Sequence, residues 1–295
     1  MLGLLLVDKP RGLTSHDVVQ RVRRLVRTRR VGHTGTLDPL ATGLLVLLVG
    51  PATRLARFAE QQTKAYRAVL RLGAETTTYD AEGEIVATHE VALDREAIEA
   101  ALERFRGEIE QRPPRYSAIK VGGEPLYRKA RRGEAVEAPP RRVVIHRLAL
   151  IAWEPPFLTL EMLVSKGTYV RSLAHDLGQH LGCGAYLHAL RRTAVGPFRV
   201  EEAKTLDRLR QLAEEGRLSQ ALLPPERLIA AMPALTLTAE EEEDVRHGRT
   251  IVRDAPSAPH LRAHAADGSL VAVLVPLGEG QWRPTLVLPR PRDVG

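Results

Sequence analysis

The chain has 295 residues, 44% of them hydrophobic and 4% aromatic, with a formal net charge of +7. That length exceeds what one core usually serves, so a large domain with a small companion is expected, packed mainly by aliphatic side chains. A single cysteine, Cys183, excludes an internal disulfide and a Cys-built zinc site and fits a cytoplasmic setting, and no apolar run reaches the ~20 residues that span a bilayer.

In chain order, "LGLLLVDKP" reads as a buried strand rather than a signal peptide, because no basic region precedes it. A helix capped by Thr14 or Ser15 should follow to about Arg27, with Val18, Val22, Leu25 and Val26 on its apolar stripe. A glycine-rich loop then runs into the strand "LLVLLVG", and "PATRLARFAEQQ" reads as helical with Pro51 near its first turn. "KAYRAVLRLG" alternates, which puts Tyr66, Ala68, Leu70 and Leu72 on one strand face, and "DAEGE" reads as a turn.

"DREAIEAALERFRGEIE" places Ile98, Leu102, Phe105 and Ile109 on one helical stripe. Residues 111–142 lose that period and hold Pro113, Pro114, Pro139 and Pro140, so an insertion that partly orders itself is expected. "FLTLEMLVS" is a further strand, and Gly167 and Thr168 lead into a helix carrying Val170, Leu173, Ala174, Leu177 and Leu181. "LLPPERLIAAMP" is the candidate linker, beyond which short strands turn at Asp267-Gly268. Strands and helices alternate without a βαβ rhythm, so a mixed α+β sheet is expected over a doubly wound one.

The charge is uneven. Residues 231–295 carry seven Lys/Arg against nine Asp/Glu, whereas "RVRRLVRTRR" has six Arg and no acid, and residues 111–142 have nine bases against three acids. Such basic runs point to a polyanionic partner such as nucleic acid.

Several standard sites are absent. "GHTGTL" lacks the Gly-Lys-Thr/Ser ending of a phosphate loop, no GxGxxG opens a helix, no GxSxG occurs, and His260 and His264 find no third metal ligand. What stands out is Asp38 in "VGHTGTLDPLATGLL". An Asp in a turn often caps the backbone. Here Pro39 holds Asp38 extended, Gly32, Gly35 and Gly43 admit close approach, and four leucines offer apolar walls. A carboxylate there gains little unless it does chemistry or meets a cation. Asp can be a nucleophile without metal or cofactor, and Arg171 in "SKGTYVRSL", beside Tyr169, is a candidate cation to keep it ionised.

The motif "GHTGTLDPLATGLL" resembles the signature loop of the bacterial TruB-type pseudouridine synthase family, which isomerises uridine 55 in the TΨC loop of transfer RNA. "LLLVDKPRGLTSHDVV", "KAYRAVLRLGAETTTYDAEGEI", "QRPPRYSAIKVGGEPLYRKARRGE" and "SKGTYVRSLAHDLGQHLGCGAYLHALRR" follow in the family's order, so the resemblance covers nearly the whole chain. It implies a largely antiparallel α+β catalytic domain over residues 1–230, with 111–142 as an RNA-gripping insertion, and a small β-rich PUA-like domain over 231–295. It further implies Asp38 as the catalytic aspartate, Tyr66 as a tyrosine that stacks on the base, and Arg171 as the aspartate's partner. Tyr169 and Leu190 would contact the flipped nucleotide, and His33 would help to hold the rearranged RNA loop. No metal or cofactor, no membrane and no obligatory protein partner are implied, and a monomer that binds the T-arm of transfer RNA is expected. Thr36 departs from the family, where alanine is common, and so does the net-acidic tail.

The implied reaction breaks the N1–C1′ bond of a uridine, turns the base over and joins C5 to C1′, after the nucleotide has been extruded into a pocket. Glycosyl-ester, glycal and base-adduct routes all remain open to Asp38. Two other readings use the same residues: a non-catalytic protein that remodels transfer RNA, and a relative that needs a guide RNA and partner proteins.

Overall fold

The computed structural model describes residues 1–290 apart from 60, 118, 135 and 137. β1 (Gly3–Lys9) leads into α1 (Ser15–Val26). Thr14 caps α1 in a reciprocal box: its hydroxyl accepts from the Asp17 N–H at 3.0 Å, and the Asp17 carboxylate accepts from the Thr14 N–H at 2.9 Å. Arg27 closes the helix with a left-handed φ of 53°. The stripe expected along this helix is buried at Val18, Val22 and Val26, with Leu25 at its edge.

β2 (Val31–His33) and β3 (Thr42–Val49) bracket the glycine-rich loop. Pro51 then opens a 3-10 turn that passes into the single turn α2 (Ala56–Ala59), and β4 (Lys64–Leu72) and the hairpin β5 (Ala74–Thr76) and β6 (Ile85–Thr88) follow. α3 (Arg95–Glu103) is shorter than its apolar period predicts. Gly107 takes a φ of +81° and reverses the chain into β7 (Gly107–Gln111), so Ile109 reaches the core from a strand.

Within the insertion lie β8 (Lys120–Val121), β9 (Glu124–Pro125) and α4 (Leu126–Arg131). β10 (Arg141–Glu154), β11 (Phe157–Val164), α5 (Val170–His180), β12 (Ala185–Val195), β13 (Phe198–Arg199) and α6 (Leu206–Glu214) complete the larger body. Beyond it come β14 (Ala234–Thr236), α7 (Ala239–Arg246), β15 (Ile251–Val252), β16 (Leu261–His264), β17 (Leu270–Gly278) and β18 (Gln281–Val287).

The first sheet runs β1-β3-β12-β4-β11-β10-β7, with β2 beside β3 and β13 beside β12. Its pairings are antiparallel except β3 with β12, where Thr42 and Gly43 lie beside Arg191 and Arg192. The alternating residues of β4 and β11 pack on α5 and α3, in a cluster that includes Leu70, Leu160, Leu173 and Ile98. β1 and β3 are covered on both faces, by α1 and α6 on one side and by the cluster around Phe198 and Leu228 on the other. That double burial explains why "LLVLLVG" is a continuous apolar run rather than an alternating one.

The proline-rich stretch expected as a linker is packed instead. Leu223 and Leu4 exchange two backbone hydrogen bonds of 2.8 Å, and Leu228 and Ile229 are buried with Leu270, Val273 and Leu286 of the second sheet. Its apolar residues, not its prolines, decide its position. The second sheet runs β14-β16-β17-β18-β15 and turns at Asp267-Gly268 as expected, with Gly268 at φ +81°. Arg54 and Arg57 of the first body donate to Val287 and Thr285 of the second, and His260 packs edge-on to Phe58.

Candidate active site

The loop at 34–41 is anchored on both sides of Asp38. The Ser15 hydroxyl accepts from the Leu37 N–H at 2.7 Å and donates to its carbonyl at 3.1 Å. The Pro39 carbonyl accepts from the Gly12 N–H at 2.8 Å and from Lys9 Nζ at 3.4 Å. Lys9 is fully buried and donates also to Leu13 at 2.6 Å. Loss of water brings its ammonium down to about 8, a shift that the nearby charge of Asp38 opposes. Leu37, Leu40 and Ala41 are buried, so the loop is pinned as a wall and not left as a free turn.

The Asp38 side chain stays 36% exposed, facing a cleft of about 1040 Å³. That volume lies at the upper end of the ~300–1,000 Å³ typical of small-ligand sites, so it has room for an extruded nucleotide with its sugar and phosphate. Arg171 Nε lies 3.0 Å from Asp38 Oδ2, and its Nη1 lies 3.5 Å from Asp80 Oδ2. Arg171 also donates to the carbonyls of Thr78 at 3.4 Å and Tyr116 at 3.0 Å. Burial pushes the Asp38 carboxyl up from the ordinary range and Asp80 adds to this, whereas Arg171 and Lys9 pull it down.

Tyr66 on β4, Tyr169 and Arg171 at the start of α5, and Leu190 on β12 line this cleft together with Asp38. His33 lies outside the cleft lining, at the end of β2, where its Nδ1 accepts from the Gly35 N–H at 3.3 Å.

Models of known protein families match the chain along most of its length. The TruB family pseudouridylate synthase N-terminal domain matches residues 23–170, the tRNA pseudouridylate synthase B C-terminal domain matches 171–230, and the tRNA pseudouridine synthase II C-terminal domain matches 232–289. The chain belongs to the TruB family of pseudouridylate synthases.

Its TruB-family relatives named tRNA pseudouridine synthase B include one from Pseudomonas aeruginosa (strain UCBPP-PA14), 45% identical over 96% of this chain and 94% of its own. Another, from Solibacter usitatus (strain Ellin6076), is 44% identical over 98% of this chain and 100% of its own. Among solved structures, a Cbf5-Nop10-Gar1 complex is similar with a TM-score of 0.74 and 25% identity, over 99% of this chain and 86% of the matched chain. An H/ACA RNP bound to a substrate RNA containing 2'-deoxyuridine shares the fold, with a TM-score of 0.75 and 23% identity over 98% of this chain and 86% of the matched one. The fold is accordingly the mixed α+β architecture of TruB-type enzymes, with a PUA-like C-terminal domain.

Around this cleft, several residues carry geometry that the sequence did not single out. Asp80, read there as part of a turn, is buried and faces Arg171; its Oδ1 accepts from Thr78 Oγ1 at 2.6 Å and from the Glu82 N–H at 3.0 Å. Tyr79 beside it has a left-handed φ of 62° and stacks on His175 of α5, with ring centroids 3.9 Å apart. α5 thus meets the 76–80 loop through Arg171 and, one turn on, His175. Gln111 at the end of β7 clamps Tyr169, accepting from its N–H at 2.7 Å and donating to its carbonyl at 3.0 Å. Burial raises the Tyr169 phenol, so it stays protonated and can donate. No local pattern marks Asp80, Ser15 or Gln111, because each acts on a segment far away in sequence.

Proposed function

We propose that the chain isomerises uridine 55 in the TΨC loop of transfer RNA to pseudouridine, with Asp38 as the group that attacks the nucleoside. The observation that carries this reading is the Asp38–Arg171 pair at 3.0 Å in a nucleotide-sized cleft of a TruB-family chain. The relatives' name, tRNA pseudouridine synthase B, supports transfer RNA as the substrate.

The uridine swings out of its stack into the cleft, where Tyr66 offers a face for the base and Tyr169 and Leu190 hold the nucleotide. Asp38 acts at C1′, C2′ or C6 of the uridine. The N1–C1′ bond breaks, the uracil turns while enclosed, C5 bonds to C1′, and the C5 proton leaves as N1 gains one. Arg171 keeps Asp38 ionised against the loss of water and fixes the oxygen that faces the sugar. Residues 1–230 would form the catalytic unit and 231–295 the PUA-like unit, in a cytoplasmic monomer that needs no guide RNA or protein partner.

The test is release of tritium from C5-tritiated uridine in unmodified transfer RNA, followed by mapping of the product. The expected result is release from a single T-loop uridine by the purified chain alone. No release would favour a non-catalytic remodeller, and release only with added proteins would favour a guide-dependent relative.

The basic segments 21–30 and 111–142 would grip phosphates. Arg132 and Arg142 are already engaged, since Glu124 takes the fork of Arg132 at 2.6 and 2.7 Å and Glu108 accepts from Arg142 at 3.3 Å. Changing Arg128 and Lys129 to Gln should therefore flatten the plot of log Kd against log salt, by about 0.7 to 0.9 for each phosphate that is no longer neutralised. An unchanged slope would remove the insertion from the grip.

A further inference from the structure

We infer that Arg192, on β12, is a positioning residue that sets the loop bearing Asp38 by holding the carbonyls of Gly35 and Thr36 from beneath. Among the described residues it heads the largest fully buried side chains, with 1% exposure. Its guanidinium donates to three backbone carbonyls: Nε to Leu44 at 2.7 Å, Nη2 to Gly35 at 3.1 Å and Nη1 to Thr36 at 3.4 Å. A buried cation answered by neutral oxygens is a costly choice for packing alone. What it gains is geometric, because a planar fork fixes several acceptors at once.

The backbone of the same residue joins the two halves of the site. Arg192 pairs with Gly43 in the parallel β3–β12 contact and with Tyr66 in the antiparallel β12–β4 contact. Gly43 sits at φ +98°, and a Cβ there would lie 2.3 Å from the Arg192 carbonyl oxygen, so this approach requires glycine. One residue therefore lies beside Tyr66 through its main chain and beneath Gly35 and Thr36 through its side chain. Ser15, Gly12 and Lys9 hold Leu37 and Pro39. Arg192 supplies a further anchor on the N-terminal side, two and three residues before Asp38, at Thr36 and Gly35. Without it, that flank is held only by Ser15 at Leu37 and by the Val46 carbonyl at Thr34, and the stretch between them is free to shift.

The inference rests on the proposed reaction for its kinetic reading, and hydrogen exchange makes it testable without that reaction. The variants are Arg192→Lys, which keeps charge and most of the volume, and Arg192→Ala, which leaves a space open to added methylguanidinium. A misplacement of about 1 Å costs on the order of 100-fold in rate, so the single-turnover rate of Arg192→Ala should fall by about that factor, and that of Arg192→Lys by less. The Kd for RNA should stay within a few-fold in both. Methylguanidinium at millimolar concentration should restore part of the rate of Arg192→Ala, and methylammonium should not. Amide exchange over residues 33–40 should quicken in Arg192→Lys, while β1 keeps its protection. A wild-type rate in Arg192→Lys, a Kd that worsens in step with the rate, or unchanged exchange over 33–40 would each overturn the assignment. If the wild type itself releases no tritium, the reaction reading fails, and the exchange result still decides whether Arg192 sets the loop.

Discussion

Asp38→Asn should give a folded protein that binds RNA and forms no pseudouridine. Asparagine keeps the shape, but it offers no anionic oxygen to attack a nucleoside. Removing a nucleophile from such a site costs on the order of 10⁴ to 10⁶ in turnover. Stability should not suffer in proportion. The folded-state pKa of Asp38 is raised, so above the ordinary carboxylate range its ionised form weighs against folding, and that penalty is relieved as pH falls. Arg171 also keeps Asp80 and two carbonyls as partners. Single-turnover rate, equilibrium binding and a thermal melt check this together. A Tm that falls by many degrees, or binding that disappears along with activity, would make Asp38 a structural residue.

Arg171→Lys should cut the single-turnover rate by about 100-fold, because an ammonium is a point charge and cannot hold the same geometry. The guanidinium serves Asp38, Asp80, Thr78 and Tyr116 from one rigid plane. Arg171→Met should do worse and also unfold more readily. It leaves Asp80 buried without its cation, and an uncompensated buried charge typically costs about 3 to 5 kcal/mol. Adding Asp80→Asn to Arg171→Met should therefore recover part of the lost Tm without recovering turnover. A double variant no more stable than the single would show that Asp80 does not depend on Arg171, and wild-type turnover in Arg171→Lys would count against the ion pair.

The regular elements were legible where burial is one-sided. Alternation in "KAYRAVLRLG" gave β4 and the face that carries Tyr66, and the valines of α1 gave its stripe. Legibility failed where a long-range contact decides. Phe105 and Ile109 continue a helical period, yet Gly107 turns the chain and a strand delivers Ile109 to the same core. The prolines of 222–233 suggested a free linker, whereas Leu223, Leu228 and Ile229 bind it to both sheets' apolar residues.

The cleft divides the same way. Asp38 stood out because its neighbours are wrong for a solvated turn, and the motif pattern named Arg171, Tyr66, Tyr169 and Leu190, which line one cleft. His33 was named with them and lies outside that lining. Asp80 could not be seen. Its partner is 91 residues away in the chain, and only the fold brings a second carboxylate to Arg171. The same holds for the anchors at Ser15 and Lys9, whose partners are backbone carbonyls and amides that carry no sequence signal.

Whether Arg171 keeps Asp38 ionised at the cleft wall is decided by the single-turnover rate against pH for the wild type and Arg171→Gln with saturating enzyme. Burial raises the carboxyl, so the rate should be lost as pH falls through a value above that of ordinary aspartate, and removing the arginine should move this acid limb to still higher pH. A limb at the ordinary aspartate value, or one that stays in place when Arg171 is replaced, would contradict the account.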